Sequence, residues 1–461
     1  MMSRSFRELV FVLAVVLSSI SFGKYSGGTG TETDPYLISN SNDMNSIGLN
    51  SGDWGQCFML THDIDMSGIT GTQYNIIGNS SQRFTGKVNG QGHVIRNFNY
   101  ITNASTKFIG LFGYISQAEI QNLGLENITI DAPNGSHVGG ISGLQNSGTL
   151  INCWSSGTIS GYEFIGGLAG TQQAITTAIG CYSKCDISGS RNVGVLVGKQ
   201  DSGIIQNCYS EGSVIGVNYN IGGLVGLSGG AVINCYSISK VMGEASCYNM
   251  GGIAGNSGGV INSFWDIQLS GISYSAGGKG KTSAQMKESA TYIAWNTLNE
   301  TFWVLNEGVD YPRLNWEKMP GSPLSAQTIT EFLFGAGTPE YPYLIINAED
   351  LNTVGLFPSE WDKCYALMAD IDMSVYSSNE FNKIGFNTGS ALNSYGFKGK
   401  FDGNNHSIRN LTYITHGAEK YIGLFGYTDN ATIQNLGIEN VIIQSDGSAL
   451  GGVVGKLNSG I

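Results

Sequence analysis

Charge is what this sequence has least of. Asp, Glu, Lys and Arg make up 13% of its 461 residues, against a usual share of roughly 25%. The 23 Lys and Arg are outnumbered by 35 Asp and Glu, leaving a net charge of −12. No basic run of any length occurs, which excludes nucleic acid and an anionic membrane surface as partners. Five histidines are present, and no two of them stand at metal-ligand spacing. Neither HExxH nor GxSxG occurs, which removes the commonest zinc-protease and serine-hydrolase signatures. Long apolar runs are also missing: after the N-terminus no stretch approaches the ~20 residues that a membrane span needs. The one apolar run, residues 9–17, is too short to span. It follows Arg4 and Arg7 and precedes Ser21-Phe22-Gly23, and so predicts a secretory signal over residues 1–23.

Glycine is plentiful, at 67 residues, about twice average usage. Apolar residues reach 41% and are spread in short runs, which argues for an ordered chain. The glycines recur. Versions of one six-residue run begin at Val138 (VGGISG), Ile165 (IGGLAG), Val193 (VGVLVG), Ile221 (IGGLVG) and Met250 (MGGIAG), at steps of 27 to 29 residues. About a dozen residues after each come Cys153, Cys181, Cys208, Cys235 and Ser263, at the same step. A fixed period of this size marks a solenoid. Within a unit the apolar runs are short, rich in Ile and Val, and bounded by Gly, Asn and Ser, the strand-and-corner signal. Three short parallel strands per coil, with coils ~4.8 Å apart, fit better than hairpins. The sequence therefore predicts an all-β, right-handed parallel β-helix, with Asn152, Asn207, Asn234 and Asn262 as a corner ladder.

The chain also repeats on a longer scale. GTGTETDPYLI from Gly28 is answered by GAGTPEYPYLI from Gly335. Asp63-Ile-Asp65 is answered by Asp370-Ile-Asp372, and His93 and Arg96 by His406 and Arg409. Two tandem modules are expected: residues 24–263, and residues 333–461 as a truncated second copy. Residues 41–49 and 348–356 read as short capping helices. Between the modules, residues 264–317 read as a closing segment with a helix over 283–294 and an aromatic cluster, and residues 318–332 as a linker.

IGGLVG followed by INCYS resembles the GLUG motif, a glycine-rich repeat of bacterial secreted and surface proteins, among them some immunoglobulin A peptidases and haemagglutinin-like adhesins. The opening GTGTETDPYLI and the closing YPRLNWE resemble multi-module surface proteins carrying that motif. The resemblance implies an extracellular β-helical scaffold and brings no catalytic residues with it.

The best carboxylate pairs are Asp63 with Asp65 and Asp370 with Asp372. Alternating on a strand, each pair shares a face and suits Ca²⁺ or a sugar; the other reading is a coil corner that accepts backbone N–H groups. His93, Arg96, His406 and Arg409 lie in Gly-Asn-rich turns, where they read as surface residues or, with Asp65, as a catalytic cluster on the outer wall. The four Cys at one repeat position predict a buried thiol ladder, since side chains stacked in parallel have poor torsion for a disulfide. Cys57 and Cys364 match across the modules; Cys185 and Cys247 are off register. Tyr162, Tyr182, Tyr209, Tyr219, Tyr236 and Tyr248 suit either a sugar-stacking wall or an ordinary sheet surface. Residues 277–282, GGKGKT in sequence, lack the first glycine of a phosphate loop, Ser275 standing in its place.

The expectation is a non-enzymatic protein, secreted or at the cell surface, that needs no cofactor. Its partners would be an extracellular glycan or a neighbouring surface protein, met by rim loops such as 68–82 and 379–395. Two alternatives stand beside it: a polysaccharide lyase or glycosidase, and an accessory region of a larger secreted peptidase.

Overall fold

The structure, a computed structural model, describes residues 24–257, 259–387, 395–415 and 419–460. The secretory-signal reading of residues 1–23 lies outside them. The chain winds into a β-solenoid of about 14 turns. One sheet runs without interruption from Tyr36–Ile38 through Phe112–Gln121, Ser142–Ile151 and Ala169–Ile179 to Ala254–Ser257, and a second runs beside it. Every pairing in these two sheets is parallel, and its register reproduces the sequence period: Ile165 lies opposite Val138 and Val193, and Val193 opposite Ile221.

Residue chemistry accounts for the turn of the coil. Leu168, Leu196, Leu224 and Ile253 stack in the interior with no exposed surface, each amide of the first three reaching the carbonyl of the next coil at 2.9 to 3.0 Å. Burial of one such side chain contributes ~1.5–3 kcal/mol. The bend beside them needs glycine: a Cβ at Gly222 would sit 1.9 Å from the Val225 carbonyl oxygen. At the opposite corner Asn152, Asn207, Asn234 and Asn262 all take left-handed backbone, φ 43° to 52°, which Asn tolerates better than other non-glycine residues. The Cys153, Cys181, Cys208 and Cys235 side chains are free thiols, fully buried.

Both capping helices are present. Asn40 caps Ser41–Leu49 by accepting the Asn42 and Asp43 amides, and Asn347 caps Ala348–Val354 by accepting that of Asp350. Trp54 and Trp361 tie down the helices, donating to Ile47 O at 2.8 Å and to Val354 O at 2.7 Å. The helix expected over 283–294 is not there. Two 3₁₀ turns, Gln285–Lys287 and Ser289–Thr291, replace it, separated by an extended Glu288. The break lets Met286, Tyr292 and Trp295 all reach one buried cluster. The α-helix of this segment is the four-residue Ile267–Ser270.

Residues 285–324 form a tail that runs along the side of the coil stack, where closure of its end was expected. They bury Tyr182, Tyr209, Tyr236 and Phe264. The end of the stack meets the second module instead: Ala231, Ile233 and Ile261 share a core with Ile329, Leu333, Phe381 and Phe386. The space left at this junction is about 30 Å³.

Candidate functional site

Two columns of side chains run side by side on one outer wall. Val94, Gly124, Trp154, Tyr182, Tyr209, Tyr236 and Phe264 are in register, one per coil. Two residues further along the strands stand Arg96, Glu126 and Lys184. The repeat thus places an aromatic ring directly after the Cys or Ser of each coil from Trp154 onward. Trp154 and Tyr182 stack at 5.6 Å and 13°, Tyr182 and Tyr209 at 4.7 Å, and Tyr209 and Tyr236 at 5.0 Å and 1°.

The sequence candidates sit at the start of this wall. Asp63 accepts the Val94 amide at 3.0 Å and Arg96 Nη1 at 2.9 Å, with His93 Nδ1 at 3.2 Å. Arg96 also binds Glu126, a partner that sequence spacing did not indicate. Asp65 is drawn elsewhere: it accepts the Ser67 amide and Asn97 Nδ2, each at 2.9 Å. The cluster that forms is therefore Asp63, His93, Arg96 and Glu126, without Asp65. The second module repeats it. Asp370 accepts the Ser407 amide at 2.9 Å and Arg409 Nη2 at 2.7 Å, with His406 at 3.3 Å, and Asp372 accepts the Ser374 amide and Asn410. The backbone N–H of Val94, with Arg96 and His93, holds Asp63 below the usual carboxylate range, and the Ser407 N–H does the same for Asp370. Asn97 and Asn410 lower Asp65 and Asp372. These are ionised groups that pin one coil to the next. Among the described residues no group of three or more His, Cys, Asp or Glu is placed to hold a metal ion.

Beside them lies a cleft of about 710 Å³ between the coil wall and the tail, a size in the ~300–1,000 Å³ range of ligand sites. Its floor is Trp154 and Tyr182, and Trp316 from the tail stacks on Tyr182 at 5.7 Å and 14°. Trp154 extends over Gly124, where a Cβ would lie 2.5 Å from its Cε2. Lys184 stands 5.4 Å from the Tyr182 ring centre and 3.1 Å from Glu211, which Arg313 also reaches at 3.4 Å. Burial lifts the Glu317 carboxyl above its ordinary range, against the Leu314 amide and the Tyr209 hydroxyl that donate to it.

Of the six tyrosines expected on an outer wall, Tyr182, Tyr209 and Tyr236 are buried under the tail, while Tyr162 and Tyr248 are exposed. Trp154, Lys184, Arg313 and Trp316 were not singled out from sequence. The signal for Trp154 was available in the aromatic position after each Cys; for the tail residues, present once each, there was none.

Residues 189–215 match the GLUG motif. Halomucin of Haloquadratum walsbyi is 31% identical over 154 residues, 32% of this chain and 2% of that protein. A protein of Evansella cellulosilytica named as a Gly-rich membrane protein is 32% identical over 154 residues, 31% of this chain and 17% of that protein. The chain thus spans a small part of the curated relatives it matches. The crystal structure of a candidate immunoglobulin A1 protease from Bacteroides ovatus aligns over 64% of this chain and 96% of its own, with a TM-score of 0.47 and 21% identity.

Proposed function

We propose that this chain is a non-enzymatic β-helix scaffold, exported to the cell surface or the extracellular space, whose coil wall serves adhesion. The observation that carries the reading is the duplicated staple. Asp63 and Asp370, the carboxylates best placed for acid–base work, are each bound by a backbone amide and an arginine at the same point of each module. A carboxylate held ionised in this way is a poor proton donor at neutral pH. The GLUG motif and the membrane protein among the relatives support the location. Surface shaving tests it: protease added to intact cells expressing the full chain is expected to degrade it, and a chain protected until lysis refutes export. A polysaccharide panel tests the chemistry. Release of reducing ends or unsaturated uronides that disappears in Asp63→Asn would establish a glycan-cleaving enzyme instead.

A further inference from the structure

Lys383 and Glu419 form the most deeply buried ion pair among the described residues. Nζ lies 2.6 Å from Oε1, and the two side chains are 7% and 2% exposed. The Tyr413 hydroxyl, itself buried, lies 3.1 Å from Glu419 Oε1 and 3.4 Å from Oε2. One further acceptor, the Lys420 carbonyl, stands 3.4 Å from the ammonium.

The fold does not ask for these charges. The turn before Lys383 runs the same course in both modules: Ser377 N–H donates to Glu380 where Thr70 N–H donates to Gln73, and Asn382 N–H donates to Asn352 where Asn75 N–H donates to Asn45. The next residue of the first module is Ile76, in the place of Lys383, and Tyr100 and Thr106 stand where the second module has Tyr413 and Glu419. Two charges taken out of water are often less favourable than an apolar side chain of similar size. An isoleucine serves the first module, so packing alone does not account for the pair.

The site holds an amine and a carboxyl together away from water. Passing one proton along their hydrogen bond gives the neutral pair, the form that a low dielectric favours. Fixing the two groups side by side replaces their encounter, an advantage of ~10⁵–10⁸ M for well-oriented reactants. A cavity of about 30 Å³ adjoins Lys383 and Tyr413, the share of one water, ~30 Å³.

From the enclosed amine–carboxyl contact, the hydroxyl on both carboxyl oxygens and the adjoining cavity, we propose that Lys383 and Glu419 condense into an intramolecular amide. The Nζ lone pair forms a bond to Cδ, and the Tyr413 O–H donates to the oxygen that becomes negative. One Nζ proton passes to the other oxygen, its bond to Cδ breaks, and water leaves into the cavity. An ammonium and a carboxylate thus become one amide and one water, with no oxidant, reductant or cofactor. Burial pushes the Tyr413 hydroxyl well above its ordinary range, which keeps it a donor. The bond joins residues 36 apart and staples the turn whose Phe381 and Phe386 pack against the first module. It stands independently of the adhesive reading.

Intact-mass spectrometry of the purified, reduced full chain, with its N-terminus sequenced, is the test. The expected mass is one water below that of the sequence. Trypsin is expected to leave Lys383 uncut in the denatured chain and to yield a branched peptide joining the segments around Lys383 and Glu419. Lys383→Met is expected to show the full mass, and Tyr413→Phe to accumulate uncondensed chain at least about tenfold more slowly converted, as for loss of one oxyanion donor. A water lost instead as a succinimide at Asp402-Gly403 or Asp446-Gly447 would persist in Lys383→Met and leave Lys383 cleavable, which overturns the proposal. A full mass in the folded parent overturns it as well. Should Lys383→Met fail to fold, the parent's mass and peptide map decide.

Discussion

At the scale of single residues the coil is held by groups that repeat once per turn and never meet water. The amides of Cys153, Cys181 and Cys208 each point at the sulfur of the next coil at 3.4 Å, and that of Cys235 points at Ser263 Oγ at 3.0 Å. Burial pushes the Cys153, Cys181 and Cys208 thiols well above their ordinary range and Cys185 up to about 11. Thiolate is the reactive form, so these groups are inert in the folded chain. Maleimide applied at pH ~7.5 is expected to label Cys57, Cys247 and Cys364, which are half-buried, and to spare the five buried cysteines until the chain is denatured. Mass spectrometry of the peptides checks this; native labelling of Cys181 would contradict it. Asp63 gives a pH signature. Its folded value is depressed, chiefly by the Val94 amide. Its contribution is therefore present above the unfolded value near ~3.9 and lost as pH falls through the folded one. The carboxylate is well exposed, so the contribution stays below ~1 kcal/mol. Asp63→Asn should melt slightly below the parent at neutral pH and together with it near pH ~2.

At the scale of elements, the tail is where structure departs from repetition. Trp303 is fully buried and packs on Tyr209, Tyr236 and Trp295. Trp303→Ala is expected to cost ~3–5 kcal/mol and to release the tail to limited proteolysis while the coils stay folded; full protection of the tail would refute the docking. Gly180 supplies a sharper test. Its φ of 62° suits Asn, the residue the repeat uses elsewhere, so consensus alone predicts that Gly180→Asn is harmless. Yet the Cβ direction leads to Trp316 Nε1 at 3.5 Å and Asn152 Oδ1 at 2.6 Å. The variant is expected to expose Trp316 and redden its fluorescence. The same contrast explains what was legible in the sequence. Coils, thiol ladder, corner asparagines and capping helices could be read because each rests on a pattern stated several times or on local caps. The path of the tail and the cleft could not, because they depend on single pairings such as Trp316 with Gly180, 136 residues apart. The helix expected over 283–294 failed for the same reason: tertiary burial of Met286, Tyr292 and Trp295 overrides a local preference. Of the site candidates, sequence reasoning joined His93 and Arg96 to Asp65, whereas coil register puts Asp63 in that place and brings in Glu126.

At the scale of the whole molecule, a stack of coils must cover its ends, since an open coil offers unpaired strand edges and bare core. Each module begins under its own helix. The first ends against the second, with Phe386 lying on Gly259, where a Cβ would come within 2.7 Å of its ring. Asn379 Nδ2 donates to Gly278 O at 3.1 Å, and the Lys279 ammonium donates to the Glu380 carbonyl. Lys279 is the unusual member of this seam. Burial, with Lys281 nearby, pulls it down to about 7, against the opposing pull of Glu380. In the unfolded chain a lysine stays protonated to about 10.4. Between those values the unfolded state binds the extra proton, so the contribution of this group to stability rises with pH across that window and is flat below it. Relative to Lys279→Met, the full chain is therefore expected to gain stability progressively as pH is raised from about 7 to about 10, while the buried thiols, which the unfolded chain ionises from about 8.5, lower both proteins alike. Lys279→Met, which keeps the stem and removes the charge, is expected to be the more stable protein at neutral pH and to lose that slope. Differential scanning calorimetry across the range reads both effects, and a variant that retains the parent's slope would show that the junction is not where the proton is lost.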